Sequence, residues 1–289
     1  MVKIGLNLWT VLSFGYTGTP SLTEVFEKAK EFGYQGVEFV YDDNLLHPEK
    51  ISKEARKSYR EKAEALGLEL PSVATGVFWK YNMGSTDEKM REEGKKFVRL
   101  GIDLAKDLGA RVLLIVPAVA SPQIPYEKLY ENAVNSLKEV SKYAEDNGVI
   151  IGVENVWNKF LYSPLEFRNF LDDVGSDYVQ AYFDVGNVVA LGYHENWIGL
   201  LRGRIAMVHV KDFDVEVGNI NGFRHVGKGS IDWKNVITLL KNAGYDDFLN
   251  VECPPSFYPD LKKPKMPEDG YRAAKDNAEA LKEILAKYY

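Results

Sequence analysis

The sequence predicts an α/β protein folded as a single (β/α)8 TIM barrel over residues 1–289. Three observations lead there. One unit recurs along the chain, an amphipathic helix closed by glycine and followed within a few residues by a short β-branched run. No linker, charge block or low-complexity tract divides it. The length, 289 residues, is long for one compact domain but ordinary for one barrel of this kind.

VKIGLNL (2–8) reads as the first strand. SLTEVFEKAKEFG (21–33) is a helix opened by a Ser21–Glu24 capping box, and GVEFV within 31–40 is the strand after it. ALG-LEL-PSVAT (65–75) ends a helix and gives the third strand. The helix at 87–109 leads to VLLIV within 107–116, and the helix at 126–148 to VIIGVE within 146–154. A second box, Ser163 with Glu166, opens the helix at 163–175, with VQAYFD (179–184) beyond it. LRGR-IAMVHV (201–210), the helix at 231–244 with FLNVE (248–252), and a last helix at 271–289 complete the set. The helix-closing glycines fit the left-handed cap position. The runs after them are too short and too rich in Val and Ile to be helices. The charged outer faces of the helices read as solvated surface. Strands alternating with helices imply a parallel sheet, and eight units fit a closed barrel better than an open one. No Gly-x-Gly-x-x-Gly follows the first strand, which removes a dinucleotide site.

Composition narrows the function classes. The chain is 45% hydrophobic and 27% charged, enough for a large core. Its net charge of −6 argues against nucleic acid as a partner. A lone cysteine, Cys253, excludes an intramolecular disulfide and a cysteine-rich zinc site, and suits a reducing compartment. MVKIGLNLW reads as a strand rather than a signal peptide. The longest apolar runs, roughly five to eight residues, fall far below the ~20 that cross a bilayer. The expectation is a cytoplasmic protein with no membrane partner, its self-association into a homo-oligomer left open.

In a parallel barrel, chemistry gathers where strands end. Glu154 ends IIGVE, Asp184 ends AYFD, His209 lies in MVHV and Glu252 ends LNVE. One strand-end carboxylate is often a helix cap, and one histidine is more often a hydrogen-bonded core residue than a ligand. Four consecutive strands ending this way are better explained together. Three carboxylates converging with an imidazole would repel one another, and one divalent cation removes the conflict. Hard oxygens plus one nitrogen suit Mn foremost, with Mg, Co, Fe or Zn as other occupants. Of the remaining histidines, His47 and His194 read as structural or exposed, and His225 stays open.

The segments GVENVWN (152–158), YFDVGN (182–187), VHVKD (208–212), FRHVGKGSIDW (223–233) and NVECP (250–254) resemble the xylose-isomerase-like barrels, most closely their ketose 3-epimerases. That resemblance implies a divalent-metal-dependent epimerase of a ketose or ketose phosphate. The metal would bind the substrate's carbonyl and hydroxyl oxygens and stabilise an enediolate. Glu154 and Glu252 would be both ligands and the two proton-transfer groups, one on each face of the inverted carbon. Arg224 matches a family arginine near the substrate. Asn187, where the tagatose 3-epimerase branch has histidine, looks more like the xylulose-phosphate epimerase branch. Asn155 and Lys211 are polar and near the barrel mouth, and strand alternation points Lys211 inward with His209.

Trp9 at the first strand end and Trp79 in the loop GVFWKYNMG (76–84) could stack on a sugar or simply cover the barrel top. Gly227-Lys228-Gly229 is the best candidate for a phosphate cradle. The same scaffold also carries aldose–ketose isomerases, inosose-type dehydratases or lyases, and abasic-site endonucleases. The last use more histidines than the four present here. A non-catalytic sugar-binding barrel would keep the pocket without needing both glutamates.

Overall fold

Short strands rich in Val, Ile and Leu, each followed by an amphipathic helix, can bury both faces only by closing on themselves with helices outside. The computed structural model, which describes residues 2–12 and 17–289, has this arrangement. The barrel strands are β1 (Lys3–Asn7), β2 (Gly36–Tyr41), β3 (Ser72–Thr75), β4 (Val112–Ile115), β5 (Ile150–Glu154), β6 (Val179–Asp184), β7 (Ile205–Val210) and β8 (Phe248–Val251). Each pairs in parallel with its neighbours, and β8 returns to β1 to close the ring. The helices outside are α1 (Leu22–Phe32), α2 (Lys53–Ala65), α3 (Glu88–Leu108), α4 (Tyr126–Asn147), α5 (Pro164–Val174), α6 (His194–Leu200), α7 (Trp233–Asn242) and α8 (Glu268–Tyr288). Among the described residues, no helix is long and apolar enough to cross a membrane.

Local signals explain most boundaries. Ser21 Oγ accepts from the Glu24 amide at 3.2 Å, capping α1 as its spacing predicts. Gly33 and Gly109 close α1 and α3 in the left-handed conformation. The second expected box does not form. Ser163 makes no side-chain cap bond, Pro164 opens α5 instead, and the Glu166 carboxylate accepts from Tyr126 Oη at 2.7 Å. Trp9 belongs to a one-turn helix, Trp9–Leu12, rather than ending β1. Beyond β7 the chain adds a small antiparallel hairpin, Asp212–Phe213 with Phe223–Arg224, at the barrel mouth.

Register places the site. On neighbouring strands Asp184 pairs with His209, and His209 with Asn250, so these residues share one level of the barrel. Asn7 and Glu38 pair in the same way on β1 and β2. Glu38, Ser72 and Asn250 are wholly buried inside an otherwise apolar barrel. Such groups are usually hydrogen bonded, and here they bond largely to one another, although Asn250 Oδ1 is left without a partner. The Ser72 hydroxyl donates to Glu38 at 2.8 Å, and the Asn250 amide donates to Tyr182 Oη at 2.8 Å.

Candidate metal centre and active site

β5, β6, β7 and β8 bring Glu154, Asp184, His209 and Glu252 together. One ligand atom from each lies within 4.8 Å of the others. His209 Nδ1 faces Glu154 Oε1 at 3.5 Å, Glu252 Oε2 at 3.7 Å and Asp184 Oδ2 at 3.8 Å. It is buried and forms no hydrogen bond. A buried, unpartnered nitrogen among three carboxylate oxygens is a costly arrangement for the protein alone. The same donors could bind a divalent cation, so the residues fit the group.

Each donor is fixed from behind. The Asn187 backbone N–H donates to Asp184 Oδ1 at 2.8 Å, which leaves Oδ2 for the centre. Asn155 bolts β5 to β6, its side-chain amide donating to the Asp184 carbonyl at 2.9 Å and its oxygen accepting from the Asp184 amide at 2.8 Å. The opposite nitrogen of His209, Nε2, lies 2.6 Å from Glu38 Oε2. Glu38 also accepts from Asn7 at 2.5 Å and from Tyr182 Oη. A carboxylate on the far nitrogen sets the tautomer and aim of a ligating histidine. Lys211 reaches in beside the cluster and donates to both Asp184 and Glu252. Gly186 makes room for it, since a Cβ there would lie 2.5 Å from Lys211 Cγ.

The electrostatics follow from burial and crowding. Burial, aided by the charges of Glu252 and Asp184 and opposed by His209, raises Glu154 to about 7. Burial also raises Asp184, with Lys211 pulling the other way. Burial alone would deprotonate His209, but Glu38, Glu252 and Glu154 together push it well above its ordinary value. For Lys211, burial is likewise overcome by Asp184, Glu252 and Glu154, so the ammonium persists. Glu38 runs the opposite way. Burial raises it, yet His209, Tyr182 and Asn7 outweigh burial and hold it low. A cation would let the crowded carboxylates ionise and His209 lose its second proton.

A cavity of about 660 Å³ opens above the cluster. Glu154, Glu252, Lys211 and Asn187 line its floor, while Trp9, Trp79, Phe223 and Phe257 form apolar walls. Asp184 and His209 are completely buried and do not line it. Of the expected substrate residues, Trp9, Trp79, Asn187 and Lys211 are therefore at the cavity. Asn155 is not, and serves Asp184 instead. Arg224 is turned away, its guanidinium donating to the carbonyls of Asn221 and Phe223 and to Asp214 at 3.1 Å. The sequence pattern missed Glu38 and Tyr182, which lie within strands rather than at their ends, and Asn7, which ends β1. An acid inside GVEFVY, a run buried along its whole length, was the available signal for Glu38.

Three comparisons bear on this architecture. The family model described as "Xylose isomerase-like TIM barrel" matches residues 26–284. L-ribulose-5-phosphate 3-epimerase UlaE of Escherichia coli is 27% identical over 237 residues, covering 77% of this chain and 78% of that one. Among solved structures, an L-ribulose 3-epimerase superposes with a TM-score of 0.81 at 19% identity, covering 100% of this chain and 96% of that one. The IOLI protein, solved with a binding zinc atom, gives 0.80 at 23% identity over 100% and 99% of the two chains.

Proposed function

This chain belongs to the xylose isomerase-like TIM-barrel family, and from that premise we propose that it is a metal-dependent 3-epimerase of a ketose or ketose phosphate. The observation that carries the proposal is an asymmetry among the four candidate ligands. Glu154 and Glu252 face the cavity, whereas Asp184 and His209 lie wholly beneath it. The two donors that a substrate can touch are the two that a two-base inversion requires.

They stand on β5 and β8, with β6 and β7 between them, so they address the space above the floor from separate sides. One carboxylate takes the proton from the carbon beside the carbonyl, and the other returns a proton to the opposite face. Lys211 holds the Glu252 carboxylate in place. Trp9, Trp79, Phe223 and Phe257 give the cavity apolar walls against which a sugar's carbon chain could pack. A divalent ion held by Glu154, Asp184, His209 and Glu252 would supply fixed positive charge where negative charge develops on the substrate oxygens.

Turnover in D2O tests the reading. The product should carry solvent deuterium at the inverted carbon, because the proton returned is not the one removed. Glu154→Gln and Glu252→Gln should each lose inversion while retaining more metal binding than His209 or Asp184 variants. Complete retention of the original hydrogen would point to an isomerase, and loss of water to a dehydratase.

A further inference from the structure

Resting on the epimerase reading, we infer that the substrate is an uncharged ketose and that phosphate esters are rejected by charge. The cavity itself contains the observations. Among the described residues its charged lining consists of Asp42, Asp43, Glu154 and Glu252 against Lys80 and Lys211. Neither cation is spare. Lys80 Nζ lies 2.6 Å from Asp43 at the mouth, and Lys211 donates to Asp184 and Glu252 on the floor. Positions 13–16, Ser-Phe-Gly-Tyr, add no Lys or Arg.

Charge balance among these groups leaves no positive charge over. Glu154, Asp184 and Glu252 carry three negative charges; a divalent ion and the Lys211 ammonium would bring three positive ones. Lys211 thus completes the neutralisation of the centre. With Lys80 cancelled by Asp43, Asp42 remains as net negative charge on the wall. A phosphate dianion would find no unpaired counter-charge in the cavity and would lie near the Asp42 carboxylate, which is unfavourable.

Of the two connections after the last strands, where such barrels usually hold phosphate, the one after β7 is already occupied from within. The Asp212 carboxylate, wholly buried, accepts from the amides of Phe213 at 2.8 Å, Gly227 at 3.0 Å and Ile231 at 3.1 Å, and from Trp233 Nε1 at 2.9 Å. The Gly227-Lys228-Gly229 turn, which the sequence offers as a phosphate cradle, already grips an anion supplied by the chain. Lys262, Lys263 and Lys265, on the connection after β8, are exposed and do not line the cavity.

The experiment compares free ketopentoses and ketohexoses with their terminal phosphate esters on the Mn-loaded protein, reading deuterium uptake from D2O. The best free ketose should exceed its ester in kcat/KM by at least about tenfold. In addition, inorganic phosphate should leave the melting temperature of the metal-free protein where chloride of equal ionic strength leaves it. Asp43→Asn, which frees Lys80, should move the ester-to-ketose ratio upward by about threefold or more. Preference for an ester, or stabilisation of the metal-free protein by phosphate, overturns the inference and leaves the epimerase reading standing. Absence of deuterium uptake from every ketose and ester removes the epimerase reading, and the inference with it.

Discussion

Glu38 bears on the candidate centre without reaching the cavity. Its carboxylate takes His209 Nε2, an Asn7 amide and the Tyr182 hydroxyl, and so decides which histidine nitrogen is left for an ion. Glu38→Gln keeps the shape but removes the charge, and should weaken Mn affinity by about 10–100-fold in titration calorimetry with the fold intact. An unchanged affinity would mean that β7 alone aims the imidazole. His225 has a different consequence. Burial, with a smaller opposing effect from Asp276, lowers its pKa from 6.5 to about 4. Its Nδ1 lies 2.7 Å from the Asn277 amide, an arrangement that suits the neutral ring as acceptor. The unfolded chain binds a proton between these pH values that the folded chain refuses. This contribution to stability is therefore complete above pH 6.5 and is lost as the pH falls towards 4, by about 3 kcal/mol. His225→Gln should flatten that part of the stability profile measured by urea unfolding.

At the level of elements, the connection from β7 to α7 is organised around one side chain. Four donors converge on Asp212, three of them the backbone amides of Phe213, Gly227 and Ile231. Asp212→Ala would leave the Phe213 and Ile231 amides and Trp233 Nε1 buried and unpaired, at a cost of about 3 kcal/mol or more. The urea midpoint should fall accordingly, and the hairpin carrying Phe223 should loosen. Asp212→Asn, which keeps an acceptor oxygen, should cost less. Equal loss from the two substitutions would show that the site needs both acceptor oxygens, since the NH2 of asparagine would face two donors. The Asn155 bolt between β5 and β6 works on the same principle, one side chain satisfying both backbone groups of Asp184.

Across the whole molecule, the centre joins four consecutive strands that a cation would tie together. A ligand that binds only the folded state stabilises it by mass action, about 2.7 kcal/mol at a hundredfold excess over Kd. Mn should raise the melting temperature by several degrees in scanning calorimetry, and a chelator should reverse the gain. His209→Ala should remove most of the response. A melting temperature indifferent to Mn, Mg, Co, Fe and Zn would sink the metal centre.

The barrel was legible in the sequence because it rests on local patterns. Helical periodicity, Ser21 as a cap and glycines such as Gly33 and Gly109 each depend on neighbours within a few residues. The four candidate ligands were legible for a related reason. In a parallel barrel every strand ends at the same face, so polar residues after apolar runs must meet. Ser163 marks where local inference stopped, since a nearby tyrosine hydroxyl claimed Glu166 and proline set the helix start. Tertiary structure alone decided the rest. Glu38 meets His209 across 171 positions, Arg224 turns to Asp214 instead of the cavity, and Asp212 fills the turn that the sequence left open for phosphate. Local sequence can specify where a strand ends, because that is a matter of neighbouring dihedrals and periodic burial. Which distant charge satisfies a buried donor depends on the register and closure of the whole barrel.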